Sequence, residues 1–179
     1  MVRLLAISGS LRAISSNSQL VEALASLAPA GVEVEVYQGL GDLPHFNLDL
    51  DGETPPEAVA DLRRRIGACD GLIICSPEYA HGVAGAMKNA LDWLVPSLEF
   101  PGKPVALINA APGAQHTQAH MRETLTIMSA HLVDAASIAV PLQGRGLSAA
   151  QIVGDTDLAA ALCAALTALA TAGAPLASG

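Results

Sequence analysis

Five short apolar runs, each followed by a segment with helical spacing, restrict this chain more than any other feature. The runs are Val2–Ile7, Val32–Tyr37, Gly71–Cys75, Val105–Ile108 and the weaker Val133–Val140, whose second half reads as a strand. Gly71–Cys75 and Val105–Ile108 are apolar throughout, the pattern of strands covered on both faces of a parallel sheet. Val32–Tyr37 alternates Val with Glu, as an exposed or edge strand does. Between the runs, Asn17–Leu27 repeats apolar residues at helical spacing (Leu20, Val21, Leu24, Leu27), and Pro55–Ile66 enters on prolines and continues with Val59, Leu62 and Ile66 on one face. Val83–Leu94, Thr117–His131 and Thr156–Thr171 complete the helices. Strict alternation of this kind implies a parallel sheet with helices on both faces. The expectation is an α/β three-layer sandwich, a five-stranded parallel sheet in the order 2-1-3-4-5. A length of 179 residues without repeat or linker fits one domain, 1–179.

Composition removes several function classes. Aromatics make up only 3% against 51% hydrophobic residues, so Ala, Val, Leu and Ile must build the core. A net charge of -8 argues against nucleic acid, whose phosphates need clustered Lys and Arg. The one basic run, Arg63-Arg64-Arg65, reads as a solvated helix face or a salt-bridged subunit contact. The three cysteines form no CxxC and no metal spacing, which suits reduced thiols in a cytoplasmic protein. The first apolar run is too short for a signal peptide, and the Ala-rich stretch Leu158–Ala172 suits a packed helix better than a bilayer. No membrane partner is expected. The long connection Gln38–Thr54 carries Leu43-Pro44-His45-Phe46, apolar enough to dock and a candidate to border an active site.

Ligands of open α/β sheets bind beyond the carboxyl ends of the strands. The loop after the first run reads Ser8-Gly9-Ser10-Leu11-Arg12-Ala13-Ile14-Ser15-Ser16-Asn17 and opens a helix. Free N–H groups and the helix dipole favour an anion there. Ser10, Ser15, Ser16 and Asn17 add donors, and Arg12 adds charge in fork geometry. Simple capping accounts for one of these residues but not for Ser8, Ser10 and Arg12. An NTPase P-loop and a GxGxxG dinucleotide fingerprint are both absent, and so are the paired acids of a phosphoryl-transfer receiver.

After the third run comes Pro77-Glu78-Tyr79-Ala80-His81-Gly82, leading to Lys88-Asn89-Ala90-Leu91-Asp92-Trp93. GSxRxxSxN after strand one, paired with PEYxxGxxGxxKNAxDW after strand three, resembles the NADPH-dependent FMN reductase family, from Leu4 to about Val140. That family is flavodoxin-like and includes flavin, quinone, azo-dye and chromate reductases. The resemblance implies FMN as cofactor and NADPH or NADH as co-substrate. It implies ping-pong hydride transfer to the flavin and then to a small-molecule electron acceptor such as free flavin or a quinone. Ser10, Arg12, Ser15 and Asn17, with Ser16 as helper, fall at its phosphate positions. Pro77, Glu78 and Tyr79 fall where its loop lies against the flavin ring, with His81 and Gly82 in the same loop. Gly113 and Gln115, after strand four, are further candidates for ring contacts. No catalytic side chain is implied, and a homodimer or homotetramer is. Glu78 reads equally as a helix N-terminal carboxylate, and Trp93 as packing. Ala80 stands where the family usually has Asn, and Gly82 and Ala84 replace its Ser and Pro. His116 and His120 share a helix face but lack HExxH and a third ligand, so no metal is expected. A flavodoxin-type electron carrier is the alternative, although Arg12 departs from the uncharged phosphate loop of such carriers.

Overall fold

The structure, a computed structural model, describes residues 1–174. Strand β1 (Val2–Ser8) leads into α1 (Ser16–Ser26) and β2 (Val32–Tyr37). Short 3-10 turns at Gly39–Asp42 and Leu48–Leu50 precede α2 (Glu57–Ala68) and β3 (Gly71–Cys75). A small hairpin follows, β4 (Glu78–Tyr79) and β5 (Gly82–Val83), and then α3 (Gly85–Leu94), β6 (Pro104–Leu107) and α4 (Gln115–Ile127). The chain ends with β7 (His131–Leu132), a 3-10 turn at Asp134–Ala136, α5 (Ala149–Gly154) and α6 (Thr156–Gly173). The five parallel strands lie in the order β2-β1-β3-β6-β7. Counted among themselves they are 2-1-3-4-5, as expected; the unanticipated hairpin takes two numbers in between.

Alternation along the central strands builds two cores. Leu5, Ile7, Leu72, Ile74, Val105 and Leu107 pack with α2, α3 and α4. Leu4, Ala6, Ile73, Cys75, Ala106 and Ile108 pack with α1 and α6 on the other face. A polar side chain at any of these positions would be buried without a partner, which explains the unbroken apolar runs. By length and composition α6 is able to cross a membrane. Its Leu158, Leu162, Ala165, Leu166 and Leu169 instead lie in the second core. The three cysteines are free, and burial pushes the Cys69 and Cys75 thiols up.

Two boundaries differ from the sequence expectation. The helix expected to reach His131 stops at Ile127, because Ser129 adopts a left-handed φ of 63° and turns the chain into β7. The fifth strand, β7, lies just before the Val133–Val140 run, and after the Asp134–Ala136 turn the half of that run expected as a strand forms a single bridge, Asn109 with Ala139. Across the break Leu107 N–H donates to Ser137 Oγ (3.1 Å), a side chain standing in for a strand carbonyl.

The Gln38–Thr54 connection docks on α2 and α3. Trp93 Nε1–H and Asn89 Nδ2–H both donate to Pro44 O (2.8 and 3.0 Å), and Phe46 N–H donates to Asn89 Oδ1 (2.8 Å). Phe46 meets the Trp93 ring edge-on at 5.1 Å. The basic run is not simply a solvated face. Arg63 forks onto both Asp51 oxygens (2.7 and 3.1 Å) and reaches Trp93 O (2.6 Å). Arg64 pairs with Asp61, and Arg65 with Asp61 and Glu35.

Arg63 and Asp51 side chains are only 15% and 6% exposed, so removing one strands the other. Arg63→Ala is expected to cost about 3 kcal/mol in urea unfolding. The Arg63 fork holds the Asp51 carboxyl below the usual range. Its stabilisation is therefore present above the ordinary aspartate value of about 4 and lost as pH falls through the lower folded value. The acid limb of a stability-against-pH profile should flatten in Arg63→Ala.

Candidate functional site

A cavity of about 480 Å³ lies beyond the carboxyl ends of β1, β3 and β6. Ser10, Arg12, Ser15, Ser16, Asn17, Pro77, Glu78, Tyr79 and Gly113 line it; His81, Gly82 and Gln115 do not. Its wall also includes Ser76, Asn109, Ala110, Ala111, Ala114, Gln143 and Gly144, which sequence reasoning missed. The usable signal for Gly144 was the Gly144-Arg145-Gly146 that follows the fifth apolar run, at the end of the sheet where ligands bind.

Gly9 holds two of these loops together. Its N–H donates to Cys75 O at 2.7 Å. A Cβ there would sit 2.9 Å from Ser76 Oγ and 3.2 Å from both Ser76 Cα and Met87 Cβ. Only glycine lets the first loop lie this close to the third. The first loop then laces itself: Ser10 N–H donates to Ser8 Oγ (3.3 Å), and Arg12 N–H donates to Ser10 Oγ (3.4 Å).

The polar groups that remain line the cavity without a partner in the protein. Ser15 occupies the N-cap position of α1 in an extended conformation, yet its side chain makes no capping hydrogen bond. Ser10, Ser15 and Asn17 are buried, and Asn17 Oδ1 has no hydrogen-bond partner. Turning that carboxamide over presents its NH₂ group instead, the orientation an anion requires. The Arg12 guanidinium has no hydrogen-bond or ion-pair partner among the described residues, in a chain whose other arginines, Arg3 apart, are all paired. A helix N-terminus, three hydroxyls, a carboxamide and an uncommitted guanidinium fit a phosphate monoester such as that of FMN.

The hairpin forms the second wall. Glu78 Oε2 accepts from Thr117 N–H (2.9 Å), in the first turn of α4, and Thr117 Oγ1–H donates to Gly82 O (2.8 Å). Ala114 at the N-cap of α4 has no capping side chain, so Glu78 supplies the cap from another loop. Tyr79 stays 53% exposed beside the cavity. His81 stacks on His116 with ring centroids 4.0 Å apart, binding the hairpin tip to α4 from outside the cavity. His116 therefore has a packing role, and no group of three His, Cys, Asp or Glu among the described residues could hold a metal.

The hairpin turn is strained. Ala80 and His81 have φ of 49° and 60°, left-handed at both central positions, where Asn and Gly are favoured. Ala80→Gly or Ala80→Asn should raise stability by about 1 kcal/mol in denaturant unfolding, and Ala80→Val should lower it.

A model of the NADPH-dependent FMN reductase family matches residues 2–144. An NAD(P)H-dependent FMN reductase of Pseudomonas aeruginosa is 35% identical over 156 residues, which are 80% of this chain and 84% of that protein. A quinone reductase of Escherichia coli K12 is 34% identical over 132 residues, 70% of each chain. The solved structure of FerB, a flavoenzyme NAD(P)H:(acceptor) oxidoreductase from Paracoccus denitrificans, aligns with a TM-score of 0.77 at 28% identity, covering 94% of this chain and 97% of FerB. With its flavodoxin-like fold and a match over most of its length, this chain belongs to the NADPH-dependent FMN reductase family.

Proposed function

We propose that the cavity binds FMN through Ser10, Arg12, Ser15, Ser16 and Asn17 at its phosphate end and through Pro77, Glu78, Tyr79 and Gly113 at its ring end. On this reading the electron acceptor is a quinone or free flavin. The observation that carries the reading is that the uncommitted Arg12 and the buried Asn17, whose Oδ1 has no partner, line the same cavity. The chemistry supplied there by FMN is reversible two-electron transfer, in from NAD(P)H and out to the acceptor.

The chain's own residues bind and orient. Arg12 neutralises the phosphate in fork geometry, and the first-turn N–H groups of α1 complete its shell. Pro77 stiffens the segment that faces the ring, and Glu78 fixes it by capping α4. His81, Gly82 and Gln115 act from behind the wall: the first two hold the hairpin, and Gln115 begins α4. No side chain is assigned as acid, base or nucleophile.

The protein works as a single domain, as a homodimer or homotetramer in the cytoplasm. Exposed Val95, Leu98 and Ile127 support association, and three free cysteines support a reducing compartment.

Purified protein reconstituted with FMN should be yellow and bleach on anaerobic addition of NADPH, then regain colour with a quinone. Yellow protein that NADPH leaves unbleached would point to an electron carrier, and failure to bind FMN would end both readings. Arg12→Ala should raise the Kd for FMN about tenfold or more while leaving the unfolding midpoint of the flavin-free protein nearly unchanged. Equal losses of binding and stability would count against a ligand role.

A further inference from the structure

We propose that Arg145 reads the 2′-phosphate of NADPH and so sets the preference between the two nicotinamide dinucleotides. The inference rests on the reading of the cavity as an FMN site. NADPH and NADH differ only by that phosphate ester on the adenosine ribose. Discriminating between them takes a cation near the cavity that the FMN phosphate has not already claimed.

The chain has nine Lys and Arg residues. Arg12 belongs to the FMN phosphate. Arg63, Arg64 and Arg65 sit on α2 and pair with Asp51, Asp61 and Glu35. Lys88 pairs with Asp92 along α3 and Arg122 with Asp134 beyond α4, and neither is next in the chain to a residue of the cavity wall. Arg3 begins β1 and Lys103 precedes β6, at the opposite end of the sheet. That leaves Arg145, which follows directly on Gln143 and Gly144 of the cavity wall.

The backbone around Arg145 is held firmly and its side chain is not. Leu142 N–H and Gln143 N–H both donate to Ala110 O at 3.1 Å, joining this turn to the loop after β6. Arg145 N–H donates to Leu142 O at 3.1 Å, and Gly144 takes a φ of 76° to close the turn. Downstream, Ala149 N–H donates to Gln19 Oε1 (2.7 Å), tying the segment to α1. The Arg145 side chain is 42% exposed, and its ion-pair partner among the described residues is Asp155 Oδ2 at 3.2 Å. An exposed pair of this kind is weak, and a phosphate dianion displaces it. Asp155 persists as a charged competitor, because the Leu158 N–H that it caps, and then Arg145, hold its carboxyl below the usual range.

The test uses FMN-loaded protein and two readouts. Steady-state rates give KM for NADPH and for NADH. Calorimetry gives the affinity of adenosine 2′,5′-bisphosphate against adenosine 5′-phosphate. Arg145→Ala should raise the NADPH-to-NADH ratio of KM about tenfold, with a matching loss of selectivity for the bisphosphate. Arg145→Lys should keep much of the preference. Asp155→Asn, which retains an oxygen to cap α6, should move the ratio the opposite way by removing the competitor. Equal effects of Arg145→Ala on both dinucleotides, no effect on either, or Asp155→Asn moving the ratio in the same direction would overturn the assignment. Flavin absorbance of each variant separates this outcome from failure of the FMN reading, which would show as colourless protein.

Discussion

The backbone hydrogen bond from Gly9 to Cys75 carries the β1–β3 pairing one residue beyond Ser8, and the cavity depends on it. With no Cβ on Gly9, the loop that opens α1 and the loop that carries the hairpin pack against each other through Ser76. The first helix and the hairpin then open onto one space rather than two. Any larger residue at position 9 must move Ser76 or Met87, and Met87 lies in the core under α3. Local chain geometry and the alignment of the two half-sites are therefore one constraint.

The second wall is kept in place by long-range polar contacts rather than by its own propensity. An Ala-His pair is a poor choice for a turn that needs left-handed φ at both positions. The cap that Glu78 gives α4, the Thr117 bond to Gly82 and the His81–His116 stack together hold that turn. Glu78 is shared between helix stability and site shape, since its carboxylate satisfies α4 while its residue lines the cavity. A change there would disturb both.

These facts also explain what was legible in the sequence. The β-α alternation and the strand order followed from apolar runs because a strand covered on both faces tolerates no polar residue. The first-loop residues that line the cavity stood out because hydroxyls and Arg just after such a strand have no packing reason to be there. The break after the fifth strand was not legible, because the ladder there is completed by the Ser137 side chain, and no periodicity signals that substitution. The hairpin was hidden because Ala80 and His81 lack the Asn-Gly signature that their geometry requires. Arg63 was read as part of a solvated face or a subunit contact because its partners, Asp51 and the Trp93 carbonyl, lie 12 and 30 residues away. Gln143 and Gly144 were missed because long-range hydrogen bonds from Leu142 and Gln143 N–H to Ala110 O, not a periodic pattern, bring this turn to the cavity.

Charge placement closes the argument for an anionic ligand. The chain carries a net charge of -8, so its average field repels phosphates. Six of the nine cationic side chains are spent on carboxylates of the same chain. The features that suit an anion are local: the open N-terminus of α1, where the Ser15 side chain makes no cap, and Arg12, whose guanidinium has no partner among the described residues. Over a few ångström these outweigh the distant acids, because exposed charges beyond about 10 Å are largely screened at ordinary ionic strength. The acidic surface thus makes the site selective by position. An anion is stabilised where the fold aims these donors and is disfavoured over most of the remaining surface.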